Sequence, residues 1–359
     1  MPAAGEGERI AALERDLAAM RSEAQAGWHR YHSLRGRKIV RAALALAGAR
    51  ERLLRRRGAR APAPAPPAEA VQPPTPSGDA VAHPWPLGHF YSPVPDTVAL
   101  AREPERSRVW PRRPSELPGV DWRPEDQLML VRDSLAAIEP LRFPAGPSGD
   151  PTEYHTGNDM WSALDAWAQQ AMLRHLRPGR LIEVGCGWSS LVTARVNREC
   201  LDGRMDVTCI EPHVPDFLSR GVEGIARIVP ERVQDVGVER FLELAAGDVL
   251  FIDSSHVVKT GSDARYLYHE VLPRLARGVV VHVHDIFLPW DYPEDWVLAG
   301  RGWNEQYVLQ SFLAFNASFE VLLGVAWLSR AHPELLAPAG FTPEQLRSVG
   351  GASFWMRRG

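Results

Sequence analysis

Three stretches of this chain hold the residue types best suited to chemistry: Glu183-Val184-Gly185-Cys186-Gly187-Trp188-Ser189-Ser190, Asp253-Ser254-Ser255-His256 and His284-Asp285. Two carboxylates that converge repel one another unless a cation or a proton intervenes. Asp253 and Asp285 therefore form a candidate site for a hard ion such as Mg²⁺, and His284 as a third ligand shifts the preference toward Mn²⁺, Fe²⁺ or Zn²⁺. The alternative is that one Asp bonds backbone or ligand and no metal is held. His256 has an unperturbed pKa near ~6.5, which suits removal of a hydroxyl proton at neutral pH; His284 competes for that role. Gly185 and Gly187 allow backbone N–H groups to approach a ligand that a Cβ would exclude. Cys186 between them reads as a small packing residue rather than a nucleophile, since no base is indicated beside it.

These residues need strands to position them. Leu181-Ile182 runs into Glu183, Cys209-Ile210 ends in Glu211, Val249 to Ile252 ends in Asp253, and Val279 to His284 ends in Asp285. Acidic residues at four successive carboxyl ends mark the ligand-binding edge of an open parallel sheet. Helices expected near 189–199, 262–275 and 304–316 alternate with strands at 181–184, 205–210, 226–229, 248–252 and 278–284. Two late strands, at 318–325 and 352–357, flank a loop carrying Pro333, Pro338 and Pro343. The pattern predicts an α/β fold with a doubly wound, mostly parallel sheet. A helix over 159–175 turns Trp161, Leu164, Trp167 and Met172 toward one face, which reads as core. His282 shares the side of His284 by the period of two and reads as a satisfied core residue.

The remainder of the 359 residues reads as appendage and cap. Residues 1–60 hold 14 Lys+Arg against 6 Asp+Glu, while the rest holds 27 against 38. Ile10, Leu13, Leu17, Met20, Ala24, Tyr31 and Leu34 fit a coiled coil or basic amphipathic helix, suited to homo-oligomer formation or to contact with a partner or membrane surface. Residues 61–86 form a Pro/Ala-rich linker. Residues 87–150 are expected to pack on the catalytic domain, 151–359, as a cap that buries Phe90, Tyr91, Trp110 and Trp122. The acidic main domain speaks against nucleic acid. Three unpaired cysteines, no apolar leader and no spanning run of about 18 residues suit a cytoplasmic protein, peripheral at a membrane at most.

Together the motifs resemble those of the class I S-adenosylmethionine-dependent methyltransferases, over roughly residues 150–359. Glu183-x-Gly185-x-Gly187 resembles their first motif, with Ser189 in place of a third glycine. Phe251-Ile252-Asp253-Ser254-Ser255-His256 is similar to their fourth. Within the class, Asp253-x-x-His256 followed by His284-Asp285 resembles the metal-dependent macrolide-sugar O-methyltransferases and the related cephalosporin hydroxylase group. The resemblance implies a seven-stranded Rossmann-like sheet and S-adenosylmethionine as cofactor. Glu183 would meet the methionine ammonium, where a dinucleotide's pyrophosphate would be repelled by a carboxylate. Glu211 would take the ribose hydroxyls and Gln234 and Asp235 the adenine edge, with Gly185, Cys186, Gly187, Ser189, Ser190 and Asp253 completing the cofactor site.

The expected activity is methyl transfer to a hydroxyl of a sugar, glycan or glycosylated natural product. A divalent metal on Asp253, His284 and Asp285 would assist, with His256 as base and Asp253 as the second catalytic residue. The downstream runs 291–296 and 303–307 read as an acceptor-side lid or as packing. Alternatives are a nicotinamide-dependent oxidoreductase, which Glu183 opposes, and a non-catalytic scaffold, which the joint presence of Asp253, His256 and Asp285 opposes.

Overall fold

The computed structural model describes residues 88–111, 113–342, 345–346 and 351–359. The helix expected over 1–60 and the linker over 61–86 lie outside the described residues. Seven strands make one sheet: β1 Arg180–Val184, β2 Asp206–Ile210, β3 Arg227–Val229, β4 Val249–Ile252, β5 Val280–Val283, β6 Phe319–Gly324 and β7 Phe354–Arg358. Their order is β3-β2-β1-β4-β5-β7-β6. All pairs are parallel except those of β7, which runs antiparallel to both β5 and β6. The order reverses at β1, and ligands of open α/β sheets bind at such a point, beyond the strand carboxyl ends.

The five helices that shape the site are α1 Pro124–Leu130, α2 Ala163–Leu176, α3 Trp188–Cys200, α4 Glu305–Leu313 and α5 Val325–Ala331. Leu164 and Met172 of α2 and Val192 of α3 pack on the sheet face that carries Leu181, Val249 and Phe251. The opposite face, with Ile182, Leu250 and Val281, is covered by Leu267, Val271 and Leu309. The strands are buried on both faces, as parallel sheets require, and so read as continuous apolar runs. Trp161, Leu164, Trp167 and Met172 are buried as expected.

Several boundaries differ from the sequence reading. The helix expected from 159 begins at Ala163, where the Ser162 side chain accepts the Asp165 N–H and caps it. The helix expected over 262–275 is α-helical only over Asp263–Tyr266, then widens to a π-turn and tightens to a 3₁₀ turn at Leu272–Arg274. Pro273 has no N–H to continue an α-helix. Between the late strands stands α5 followed by a 3₁₀ segment, Pro333–Ala339, rather than a plain loop. Trp327 and Leu328 are buried there, and tertiary burial outweighed the proline signal.

The segment ahead of the sheet docks on it through Trp122, which packs on Phe354 and Trp327. Arg123 pairs with Glu320, and Gln127 accepts the Gly324 N–H at 2.8 Å. Phe90 and Tyr91, expected to be covered, are 80% and 63% exposed.

Candidate active site

The first part of the site is the turn between β1 and α3. Gly185 has φ +86°, and a Cβ there would stand 1.7 Å from the Asp253 carbonyl oxygen, so β1 and β4 close on each other only with glycine. At Gly187 a Cβ would meet nothing within 4 Å, so the backbone faces open space. Glu183 is fully buried on β1. Its Oε1 accepts hydroxyl bonds from Ser189 (2.5 Å) and Ser190 (2.9 Å), whereas Oε2 has no hydrogen-bond partner among the described residues. Burial pushes the Glu183 pKa up, the two serines pull it back, and it settles at about 8. A buried carboxylate with one unpartnered oxygen is a strong attractor for a cationic ligand group. Ser189 and Ser190, expected to touch the cofactor, give their hydroxyl protons to Glu183.

Glu211 is half-buried at the end of β2. Its Oε1 accepts the His213 N–H at 2.7 Å, and burial raises its pKa against the N–H bonds of His213 and Cys186. The Cys186 side chain is buried, its thiol 3.7 Å from the Glu183 carbonyl oxygen. Gln234 donates to the Gly261 carbonyl at 3.0 Å, and Asp235 is held by Arg232 on the surface.

The second part forms at the ends of β4 and β5. His256 Nε2 stands 3.3 Å from both Asp253 Oδ1 and Asp285 Oδ2. Its Nδ1 lies 2.8 Å from Oε2 of Glu305, the fully buried first residue of α4. One ligand atom from each of Asp253, His256 and Asp285 falls within 4.8 Å of the others, a spacing fit for one metal ion. His256 and Asp285 both take left-handed backbone angles, φ +58° and +56°, which side-chain-bearing residues hold only where the surroundings enforce them.

His284 faces the same carboxylates from the other side. Its Nδ1 is 3.5 Å from Asp253 Oδ1 and 3.7 Å from Asp285 Oδ1. Its Nε2 is 3.4 Å from Asp165 Oδ2, close enough for charge attraction but outside hydrogen-bond geometry. Asp165, buried on α2, accepts the N–H groups of Ala352 and Ser353 and the hydroxyls of Ser353 and Ser162.

Charge follows from this packing. Burial disfavours the imidazolium of His256, but its contacts with Asp253 and Glu305 and the charge of Asp285 raise its pKa to about 10. His284 is likewise driven well above the ordinary range, against burial, by Asp285, Asp253 and Asp165. Burial alone would raise the Asp253 pKa; the two imidazoles hold it well below the usual carboxylate value. For Asp285 burial prevails and its pKa rises. As the site stands, both histidines keep their protons at neutral pH and satisfy the acidic cluster themselves.

The strand ends thus bring together Glu183, Asp253, His256, His284 and Asp285, as the sequence led one to expect. The three-residue cluster contains His256, however; His284, expected as the third ligand, stands outside it, 3.5 Å from Asp253 and 3.4 Å from Asp165. Asp165 is not singled out by the sequence, and Glu305 reads there only as part of the 303–307 run, as lid or packing. His282 is core, stacked between Phe251 (4.0–4.1 Å spacing on each side) and Trp355, but it is not satisfied. Neither of its nitrogens has a hydrogen-bond partner among the described residues, and burial depresses its pKa. From the lid runs, Trp303 packs on His256 at 4.4 Å between ring centres.

Residues 182–286, from β1 to just past β5, match the profile of a family described as "Methyltransferase domain". A protein of Archaeoglobus fulgidus described as "Uncharacterized protein" is 33% identical over 161 residues, 44% of this chain and 72% of that one. The profile match spans the β1–β5 part of the sheet and supports a methyltransferase domain there. The chain belongs to the same family as this archaeal protein. Among solved structures, a candidate methyltransferase of Thermobifida fusca YX is 14% identical, with a TM-score of 0.36 over 54% of this chain and 79% of its own. A candidate O-methyltransferase of Klebsiella pneumoniae is 13% identical, with a TM-score of 0.31 over 55% and 80%.

Proposed function

We propose that the chain methylates a hydroxyl oxygen of a sugar, glycan or glycosylated natural product, using S-adenosylmethionine and a divalent cation such as Mg²⁺ or Mn²⁺. One observation carries this reading. At the carboxyl ends of the adjacent strands β1, β4 and β5, a buried carboxylate with an unpartnered oxygen adjoins an open glycine turn, beside an Asp/His/Asp cluster of metal-ligand spacing.

When bound, S-adenosylmethionine supplies a methyl group on a sulfonium, and the cation lowers the pKa of a hydroxyl that it binds. Glu183 Oε2 would hold the methionine ammonium, Glu211 the ribose hydroxyls, and Gly185 and Gly187 the close backbone approach. Asp253, His256 and Asp285 would hold the cation. Glu305 supports His256 as a ligand, because metal-bound imidazoles commonly give their second ring N–H to a carboxylate. With His256 so engaged and the cation neutralising Asp253 and Asp285, His284 would lose the charges that hold its own proton and could accept the hydroxyl proton, with Asp165 orienting it. His256 itself remains the base in a second reading, in which no cation enters; its two-carboxylate contact at Nε2 favours the first.

The test is transfer of labelled methyl from S-adenosylmethionine to a panel of neutral and acidic sugars and glycosides, with Mn²⁺ or with EDTA. Metal-dependent labelling is expected, lost in Asp253→Asn. Absence of labelling together with no binding of S-adenosylmethionine to the folded protein would refute the reading. Full activity in EDTA would remove the cation and restore His256 as base.

A further inference from the structure

The loop after β5 and the first turns of α4 wall a second space. A cleft of about 570 Å³ lies between residues 108–111 and 113–115, the loop 288–294, Gln306, Tyr307 and Gln310 of α4, and Arg330 of α5. Asp253, His256 and Asp285 do not line it, yet Glu305, which holds His256, immediately precedes the lining residue Gln306.

Its charges do not cancel. Glu294 is taken by Arg106, which meets both carboxylate oxygens at 2.6 and 3.1 Å. Arg108 is paired with Glu105 at 2.7 Å. Asp291 accepts the Tyr307 hydroxyl at 2.6 Å and the Tyr292 N–H at 2.7 Å. Arg330 and Arg113 remain against the single charge of Asp291, and neither has a carboxylate within ion-pair distance among the described residues. The Arg330 guanidinium lies over the Trp290 ring, 4.8 Å from its centre, and burial alone acts on its pKa, downward. A guanidinium that rests over an indole and lacks a counter-ion among the described residues is poised for bidentate recognition of an anion. The cleft also offers flat surfaces: Trp110, fixed by its N–H bond to the Tyr292 carbonyl at 2.8 Å, and Tyr307, tethered to Asp291. Aromatic faces beside polar groups suit a hydroxylated ring.

We infer that this cleft binds the carboxylate or phosphate of a ring-bearing hydroxy compound through Arg330 and Arg113. On the proposed methyl transfer, the acceptor is then an acidic sugar rather than a neutral one. Such a group would confer selectivity, because a neutral analogue leaves both guanidiniums without the partner that the site is built for.

Titration of the full chain with glucuronate, glucose 6-phosphate and glucose, without S-adenosylmethionine, tests this by calorimetry. At least one acid is expected to bind roughly ten- to a hundredfold more tightly than glucose, with most of that margin lost in Arg330→Gln and the melting temperature unchanged. Binding of only one acid identifies the anion as carboxylate or phosphate. Equal binding of all three sugars, no binding of any, or undiminished acid binding by both Arg330→Gln and Arg113→Gln would overturn the inference. The two readings fail separately. Arginine-dependent acid binding without methyl transfer rejects only the reaction, whereas methylation of neutral sugars by Arg330→Gln at the wild-type rate rejects only the cleft.

Discussion

Replacing Glu183 by Gln should make the protein more stable and unable to hold its cofactor. The carboxyl is fully buried, and its pKa rises from 4.5 to about 8. Because the folded-state value is the higher one, the native protein binds more protons than the unfolded chain between these limits. Stability from this group is therefore fully present below pH 4.5 and falls as pH rises toward 8. At about 1.4 kcal/mol per pH unit, the native state is disfavoured at pH 7 by roughly 3 kcal/mol relative to a neutral side chain. The Gln amide keeps an oxygen for Ser189 and Ser190 but places unpartnered N–H groups where Oε2 stood, which returns about 1 kcal/mol or more. The net gain at pH 7 is about 1–2 kcal/mol, and it should shrink and change sign by pH 5. Urea unfolding of both proteins from pH 5 to 8 measures this, and the difference between them cancels every other titrating group. Binding of S-adenosylmethionine should weaken roughly a hundredfold, as for loss of one partner of a buried charged pair. A stability difference that does not vary with pH would refute the assignment of a protonated Glu183, and unweakened cofactor binding would refute its role.

Further outcomes follow from the same geometry. Gly185→Ala, with its Cβ 1.7 Å from a backbone oxygen, should lose roughly 3 kcal/mol or more of stability, read as a lower melting temperature. Gly187→Ala meets nothing within 4 Å and should melt like the wild type while binding S-adenosylmethionine more weakly by calorimetry. Because a metal must displace the proton that His256 holds up to about pH 10, Mn²⁺ affinity should rise about tenfold per pH unit from pH 6.5 to 7.5; a flat profile would exclude His256 as a ligand. Asp165→Ala strands the Ala352 and Ser353 N–H groups and should cost about 3 kcal/mol, seen in urea unfolding.

The sheet and the positions of its acidic ends were legible because burial on both faces writes strands as short apolar runs, and the residue after each run then stands out. Glu183, Asp253 and Asp285 were found that way. Asp165 and Glu305 could not be, since a carboxylate on a helix looks the same in sequence whether it faces water or an imidazole. The division of labour between His256 and His284 was equally hidden. It depends on which buried acid approaches each ring from elements 49 and 119 positions away in the chain, Glu305 and Asp165 respectively. Phe90 and Tyr91 were misplaced for the opposite reason: aromatic character alone does not say that a partner surface exists.

β7 is made after β6 yet lies between β5 and β6, and the two residues just before it, Ala352 and Ser353, bond to Asp165. Order of synthesis therefore matters to the site. Until residues 352–358 emerge, β6 has no neighbour to join, the outer edge of β5 is bare, and Asp165 is unsecured behind His284. A nascent chain can assemble the β1–β5 half and its glycine turn well before the acidic cluster is braced. Competence to bind a cofactor would thus precede competence to use it, and a chain interrupted short of β7 would be catalytically silent.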